Sequence, residues 1–346
     1  MQTMPPFSMG PSVSVSYERA LQAFLRSRGL GNGAKDLATD QRVGSRVEGI
    51  SFGSTLVRSG RELGDAALGL SFGTRVGGAG FGLLGVAAAT APTLRDSVRH
   101  LQRFESLTST LGHMSVRRRG RLVSLLWEPE RPDLPQEIAE AILTGWVSFG
   151  RYLLGEHAEV AQVRFRHSPA ASAAVYEDKL DCPVRFDAGE NSVTIHADLL
   201  DATPRMSEPT INGALDAWLD RCTLGVSACR ARPFARRVAQ LLDTSIDLAQ
   251  ADEPAVAHAL GMSRRTLQRK LDAEGTAFRH LLDAARAQQA IVGVLRGDTP
   301  LAQLCADVGF DEQSSLCRAF RRWTGHSPSS LKHRLHGMFD DLRPGQ

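Results

Sequence analysis

The chain has 346 residues, 42% hydrophobic and 23% charged, with a net charge of +3. That length suits two domains, the composition is globular, and so small a net charge does not by itself imply nucleic acid. Five irregularly spaced cysteines (Cys182, Cys222, Cys229, Cys305, Cys317) make neither a disulfide framework nor a CxxC zinc half-site, and no stretch nears the roughly 18 apolar residues of a membrane span.

Residues 1–16, with Pro5, Pro6, Gly10 and Pro11, read as a loose lead without the basic and apolar regions of a secretory signal, so a cytoplasmic location is expected. "YERALQAFLRSRG" puts Leu21, Phe24 and Leu25 at helical spacing, and Gly29 ends it. In "TLRDSVRHLQRFESL", Leu94, Val98, Leu101 and Phe104 share a face just after Pro92. "GHMSVRRRGRLVSLLWE" predicts a hairpin turning near Arg119 and Gly120, its tip a solvated arginine cluster. "QEIAEAILTGWVSFGRYLLG" carries a core stripe of Ile138, Ile142, Trp146, Phe149 and Leu153. "EVAQVRFRH" alternates like a strand, and "PVRFDAGENSVTIHA" predicts a second hairpin turning at 188–191. Helices and strands in irregular order indicate an α+β domain over 17–220.

Strand signals then vanish. A linker is expected at 221–232, followed by an all-α domain over 233–340. From Arg230 onward there are 17 Lys and Arg against 13 Asp and Glu, so the positive excess lies in this third, as in a DNA-binding module joined to a neutral domain.

This third contains one design twice. In "PAVAHALGMSRRTLQRKL", Val256 and Leu260 face inward, Gly261 turns the chain, Ser263 caps, and Leu267 and Leu271 bury. Arg265, Gln268, Arg269 and Asp272 then line the opposite face. In "TPLAQLCADVGFDEQSSLCRAF", Leu301, Leu304 and Val308 face inward, Gly309 turns, and Asp311 is the expected cap. Leu316 and Phe320 bury, while Ser314, Ser315 and Arg318 face out. Two helices across a glycine-containing turn make a helix-turn-helix, whose second helix can enter the major groove. The connector "TAFRHLLDAARAQQAIVGVLRG" predicts a helix of about 20 residues, or about 30 Å. Successive major-groove openings lie about 34 Å apart, so such a helix can hold two readers over adjacent grooves.

"LGMSRRTLQRKLDAEGTAFRHLLDAAR" and "VGFDEQSSLCRAFRRWTGHSP" resemble the DNA-binding domain of the AraC/XylS family of bacterial transcription regulators. "FGLLGVAAATAPTLRDSVRHL" and "CPVRFDAGENSVTIHADLLDA" resemble that family's arabinose-binding-type sensor domain. The resemblance implies base contacts from Arg265, Gln268 and Arg269 in one groove and from Gln313, Ser314, Ser315 and Arg318 in the next. Asp311, Leu316, Leu331 and Lys332 depart from the residues common there, which leaves the second helix's base preference open. The resemblance further implies activation through RNA polymerase.

Arg269 and Arg318 suit guanine, and Gln268 and Gln313 suit adenine. Arg264, Lys270, Arg321 and Arg322 are expected on phosphates, which position without reading sequence. Trp323 is expected in the core. "GISFG" and "GLSFG" match G-x-S-x-G but lack the strand and helix of a nucleophile elbow. "GFGLLG" matches a dinucleotide fingerprint, but Pro92 interrupts the helix that would carry the pyrophosphate. His100, His113, His157, His167 and His196 show no metal-ligand spacing. No cofactor, metal or catalytic residue is expected.

These readings converge on a sequence-specific, effector-responsive transcription activator. Its partners would be double-stranded promoter DNA, a small-molecule effector, RNA polymerase and a second copy of the chain. The competing readings are a ligand-independent DNA-binding and dimerising protein, and an enzyme with an unrecognised N-terminal site. Phe52, Phe72, Trp127 and Trp146 read as core, so no effector residues are assigned.

Overall fold

The computed structural model describes residues 11–30, 46–76, 82–105, 108–155, 158–213, 215–216, 219, 233–244, 247–296 and 299–333. The lead up to residue 10, the 221–232 linker, His157 and Gly297 lie outside the described residues. The chain divides into two compact units. One gathers Met1–Lys35, Arg46–Val76 and Thr108–Leu200; the other gathers Asp36–Ser45, Gly77–Leu107 and Asp201–Gln346.

The first unit is mixed α and β. Strand β1 (Ser12–Ser14) pairs antiparallel with β2 (Arg46–Glu48), so part of the expected loose lead is ordered. Ladder bonds to a distant segment outweigh the local proline and serine signal. Ser14 caps helix α1 (Val15–Ser27) by accepting from the Tyr17 N–H, and Leu21, Phe24 and Leu25 are buried as their spacing predicts. Helices α2 (Gly49–Leu63) and α3 (Leu68–Gly73) follow. They contain Ser51 and Ser71, the centres of the two G-x-S-x-G strings. Ser51 stands in the first turn of α2 directly after β2, so a strand and a helix do flank the first string, contrary to the sequence expectation, but Ser51 is helical and not held on a strained turn. Ser71 lies inside α3, where its hydroxyl donates to Asp65 at 3.0 Å.

The main sheet has five strands: β3 (Gly112–Arg119), β4 (Leu122–Pro129), β5 (Val160–Arg164), β6 (Val184–Arg185) and β7 (Asn191–His196), in the order β3-β4-β7-β5-β6. The first predicted hairpin forms, with Gly120 at φ 60° in its turn. Arg117 and Arg118 at its tip are exposed, with Arg117 paired to Glu190. The second predicted hairpin does not form. β5 lies between β6 and β7, parallel to β6 and antiparallel to β7. The Phe165 N–H donates to the Arg185 carbonyl and the Ala188 N–H to the Phe165 carbonyl, so β5 takes the bonds a hairpin would have used.

The long helix α6 (Gln136–Leu154) packs on this sheet, and α3 packs on α6. That second contact is close: a Cβ on Gly69 would collide with the Glu137 carbonyl oxygen. Ile138, Phe149 and Leu153 are buried, while Ile142 and Trp146 are half-buried. Phe52, Phe72 and Trp127 are core. Helix α7 (Ala173–Leu180) completes the unit.

The second unit, as far as it is described, is helical. Helix α4 (Gly82–Ala89) meets α5 (Leu94–Phe104), and Thr93 caps α5 through the Asp96 N–H. Leu94, Val98, Leu101 and Phe104 are buried on one face, as predicted. The remaining helices carry the two repeated motifs.

Candidate nucleic-acid interface

Helix α8 (Pro233–Thr244) is the platform of the first motif. Its Ala235, Val238 and Leu242 join Leu248, Val256, Leu267, Leu271, Phe278 and Leu281 in one apolar cluster. Helix α9 (Glu253–Ala259) begins where Asp252 Oδ1 accepts the Ala255 N–H at 2.7 Å. The turn passes through Gly261 at φ 66°, a left-handed conformation that costs glycine little. Ser263 Oγ then accepts the Thr266 N–H at 3.2 Å and starts α10 (Arg264–Ala273), the cap the sequence predicts.

Helix α10 hides Leu267 and Leu271, 0% and 1% exposed. Arg264, Arg265, Gln268, Arg269, Lys270 and Asp272 are exposed on it. Among the described residues the side chains of Arg265 and Arg269 make no hydrogen bond or ion pair. Arg264 Nε and Gln268 Nε2 both donate to Glu253 Oε2 of α9, at 2.5 and 2.9 Å. The Lys270 ammonium lies 5.0 Å from the centre of the Phe234 ring.

The connector is α11 (Phe278–Arg296), 19 residues and therefore about 28 Å long. It leads to α12 (Leu301–Asp307) and α13 (Gln313–Thr324). Asp311 does not cap α13. Glu312 is the N-cap, in an extended conformation and without a side-chain cap bond, so the helix starts one residue later than predicted. The Ser314 hydroxyl bonds Glu312 at 3.0 Å instead, and Arg318 Nη2 donates to the Ser315 hydroxyl at 3.0 Å. Gln313, Ser314, Arg318, Arg321 and Arg322 are exposed, Ser315 is half-buried, and Leu316 and Phe320 are core.

Trp323 is core, as expected, at 4% exposure. Its indole N–H donates to Asp283 Oδ2 of α11 at 3.0 Å, and Arg322 holds Asp283 Oδ1 at 2.6 Å. Three residues along α11, Arg286 donates to the Leu248 carbonyl at 3.2 Å and lies 5.4 Å from the Phe310 ring centre. Burial lowers its pKa, against the pull of Asp283 and Asp311. Gly309, at φ 79°, presses on the same Leu248 carbonyl, where a Cβ would collide. The connector thus ties both motifs into one body through Asp283 and Arg286.

Sequence reading missed Glu253, Glu274, Asp283 and Arg286. Glu274 ends α10 and accepts the N–H groups of Phe234 and Ala235 at 2.9 and 2.7 Å, at the start of α8. Each of these pairings spans 11 to 40 residues, beyond any local periodicity. Among the described residues no group of three His, Cys, Asp or Glu could hold a metal ion, and no helix is long and apolar enough to cross a membrane.

Comparison with known proteins agrees with this architecture. Residues 20–204 match the arabinose-binding domain of AraC transcription regulators, and residues 256–334 match a helix-turn-helix domain. The chain is 28% identical over 266 residues to the HTH-type transcriptional regulator VirS of Mycobacterium tuberculosis, covering 75% of this chain and 76% of that one. It is 26% identical to the ornithine utilization regulator of Pseudomonas aeruginosa over 56% of each chain. The crystal structure of the transcriptional regulator CdpR from Pseudomonas aeruginosa aligns with a TM-score of 0.48 at 21% identity, over 96% of this chain and all of that one. With a sheet-bearing N-terminal part and a helical C-terminal part built on two helix-turn-helix motifs, the chain belongs to the AraC family of transcription regulators.

Proposed function

We propose that this regulator is an effector-responsive activator that reads two adjacent major grooves of promoter DNA. The observation that carries the reading is the pair of exposed polar faces, on α10 and α13, mounted on one 19-residue helix. Arg265, Gln268 and Arg269 contact bases in one groove, and Gln313, Ser314, Ser315 and Arg318 in the next. Arg264, Lys270, Arg321 and Arg322 hold phosphates. Residues 17–220 bind the effector and support dimerisation, and 233–340 bind DNA. An effector shifts DNA affinity only through its different affinity for two states of the sensor, and RNA polymerase is the partner through which bound protein activates.

Fluorescence anisotropy on DNA upstream of the protein's own gene and its neighbours, run across salt, tests this. Wild type should find a specific site that the Arg269→Ala/Arg318→Ala double variant loses, leaving a salt-sensitive background. Absence of any specific site, with and without cell metabolites, would overturn the reading.

A further inference from the structure

The first unit buries a carboxylate with unfinished chemistry. Glu140, on α6, is 0% exposed. Its Oε1 accepts the Tyr176 hydroxyl at 2.6 Å, and the Tyr176 oxygen accepts the Ala170 N–H at 3.3 Å. Oε2 has no partner among the described residues. His167 Nε2 faces the same carboxylate, 4.0 Å from Oε1. The other ring nitrogen, Nδ1, lies 2.8 Å from the Ser168 carbonyl. A carbonyl only accepts, so Nδ1 carries the hydrogen and Nε2 of the neutral ring is a lone pair. Burial lowers the His167 pKa, which favours that neutral form over the opposing pull of Glu137 and Asp187. Nε2 is likewise buried without a partner. One turn along α6, the buried Thr144 hydroxyl also lacks one.

The Glu140 carboxylate thus takes the Tyr176 hydroxyl and a backbone hydrogen bond from Leu70 of α3, yet its Oε2 and His167 Nε2 stay unpaired among the described residues, whereas buried polar groups are normally paired. Aromatic rings wall the same place. Tyr176 and Phe186 meet edge to face at 4.8 Å, Phe165 and Phe186 stack at 5.8 Å, and Phe165 lies 5.0 Å from His167. A carboxylate among aromatic rings suits a cation, which the ring faces attract. His167 is at the rim, its side chain 14% exposed, beside the exposed loop of Ser168–Ala170.

We infer that this is a recognition site for an organic cation with N–H donors, an ammonium or guanidinium group. Glu140 is its counter-ion, His167 Nε2 its second acceptor, and Phe165, Tyr176 and Phe186 its wall. The inference rests on the sensor reading above and gives the effector a chemical class. Burial pushes the Glu140 carboxyl up to about 7, against the lowering effect of the Tyr176 hydrogen bond. At pH 7 about half of the empty sites therefore hold a proton, which an arriving cation displaces.

Isothermal titration calorimetry on the full chain tests this. The probes are benzylammonium and n-butylammonium, with benzyl alcohol and n-butanol as uncharged matches, in two buffers of different ionisation enthalpy. The cations should bind about tenfold or more tightly than the alcohols and expel about half a proton at pH 7. Their affinity should fall about fifteenfold at pH 5.5, where Glu140 is mostly protonated, and about tenfold or more in Glu140→Gln. Should Glu140→Gln not fold, His167→Leu, altered at the rim, should still weaken the cations several-fold. Alcohols binding as well as cations, binding without proton release, or no binding of either cation would overturn the site. If the cations fail while a metabolite fraction still raises the melting temperature, the sensor reading survives and this site falls. If the cations bind but leave DNA affinity unchanged, the site stands and its coupling to DNA falls.

Discussion

Glu274→Ala removes one side chain that serves two helices. Glu274 ends α10, and its carboxylate accepts the first two available N–H groups of α8, from Phe234 and Ala235, at 2.9 and 2.7 Å. A helix start has no intrahelical partner for those donors. Losing a capping side chain costs about 1 kcal/mol. Here the acceptor is charged, engages two donors and sits at the positive end of the helix dipole, which adds about 0.3–1 kcal/mol. The expected loss is about 2 kcal/mol for Glu274→Ala and roughly half that for Glu274→Gln, which keeps one neutral oxygen. Native-state hydrogen exchange on the full chain reads this locally. Amides of 234–242 should exchange about thirtyfold faster in Glu274→Ala, with those of α6 unchanged. Specific DNA affinity should fall as well, because α8 is the platform on which α10 is set. Unchanged protection of α8 would refute the reasoning, since the two bonds would then contribute nothing to its stability.

Arg269→Ala, exposed on α10, should cost about 1–3 kcal/mol of specific binding and relax discrimination at one base pair, read by anisotropy against a set of single mismatches. Lys270→Ala should weaken all DNA alike and lower the salt slope by about one unit; a sequence-dependent loss would contradict its phosphate role. Glu140 gives a pH signature. Its folded pKa is raised to about 7 from 4.5 by burial, so between those values the folded state binds more protons than the unfolded one. Stability should therefore fall as pH rises from about 4.5 to about 7 and level off above. The groups around it are Tyr176 and His167, with Glu137 and Asp65 raising its pKa further. The lowered pKa of His167 acts in the opposite direction, so the comparison is wild type against Glu140→Gln in urea unfolding across pH.

Whatever rests on local periodicity was legible. The stripes of α1 and α5, the first hairpin, the Ser263 cap and the turn at Gly261 all follow from spacing and turn chemistry within about ten residues, whereas the α6 stripe holds at Ile138, Phe149 and Leu153 but not at the half-buried Ile142 and Trp146. Two kinds of feature were not. Sheet order depends on which strands meet: nothing in 183–196 shows that β5, from 160–164, takes the bonds of a hairpin that looks self-sufficient. Equally, β1 lies in a segment whose prolines and serines read as loose, and only its partner 34 residues on makes it a strand. Asp311 failed for a subtler reason. It is a good capping residue, but the extended backbone at Glu312 delays the helix and leaves its carboxylate out of register. The exposed face of α10 was readable residue by residue, and that of α13 except at Ser315, which is half-buried. The acids behind them were not, because Glu253 and Asp283 reach their partners across 11 to 40 residues.

Glu253 shows why those acids bear on recognition. A glutamine reads adenine with its carbonyl oxygen and one N–H, which leaves the second N–H free. In α10 one Gln268 N–H is already bound by Glu253 at 2.9 Å. The bond fixes which way the amide faces, and it can persist while the other edge meets the base. The same carboxylate holds Arg264 and, on the proposed docking, would place a negative charge beside the phosphates and oppose non-specific binding. Glu253→Ala should therefore act in two directions. Affinity for unrelated DNA should rise a few-fold at low salt, as one repulsive charge goes. Affinity for the specific site should gain less or fall, because Gln268 must now pay to orient itself, and discrimination at its base pair should weaken. Anisotropy titrations against the specific site, its single mismatches and a random duplex separate the two effects. If all of these affinities rise by the same factor, Glu253 is a bystander charge and Gln268 needs no support from α9.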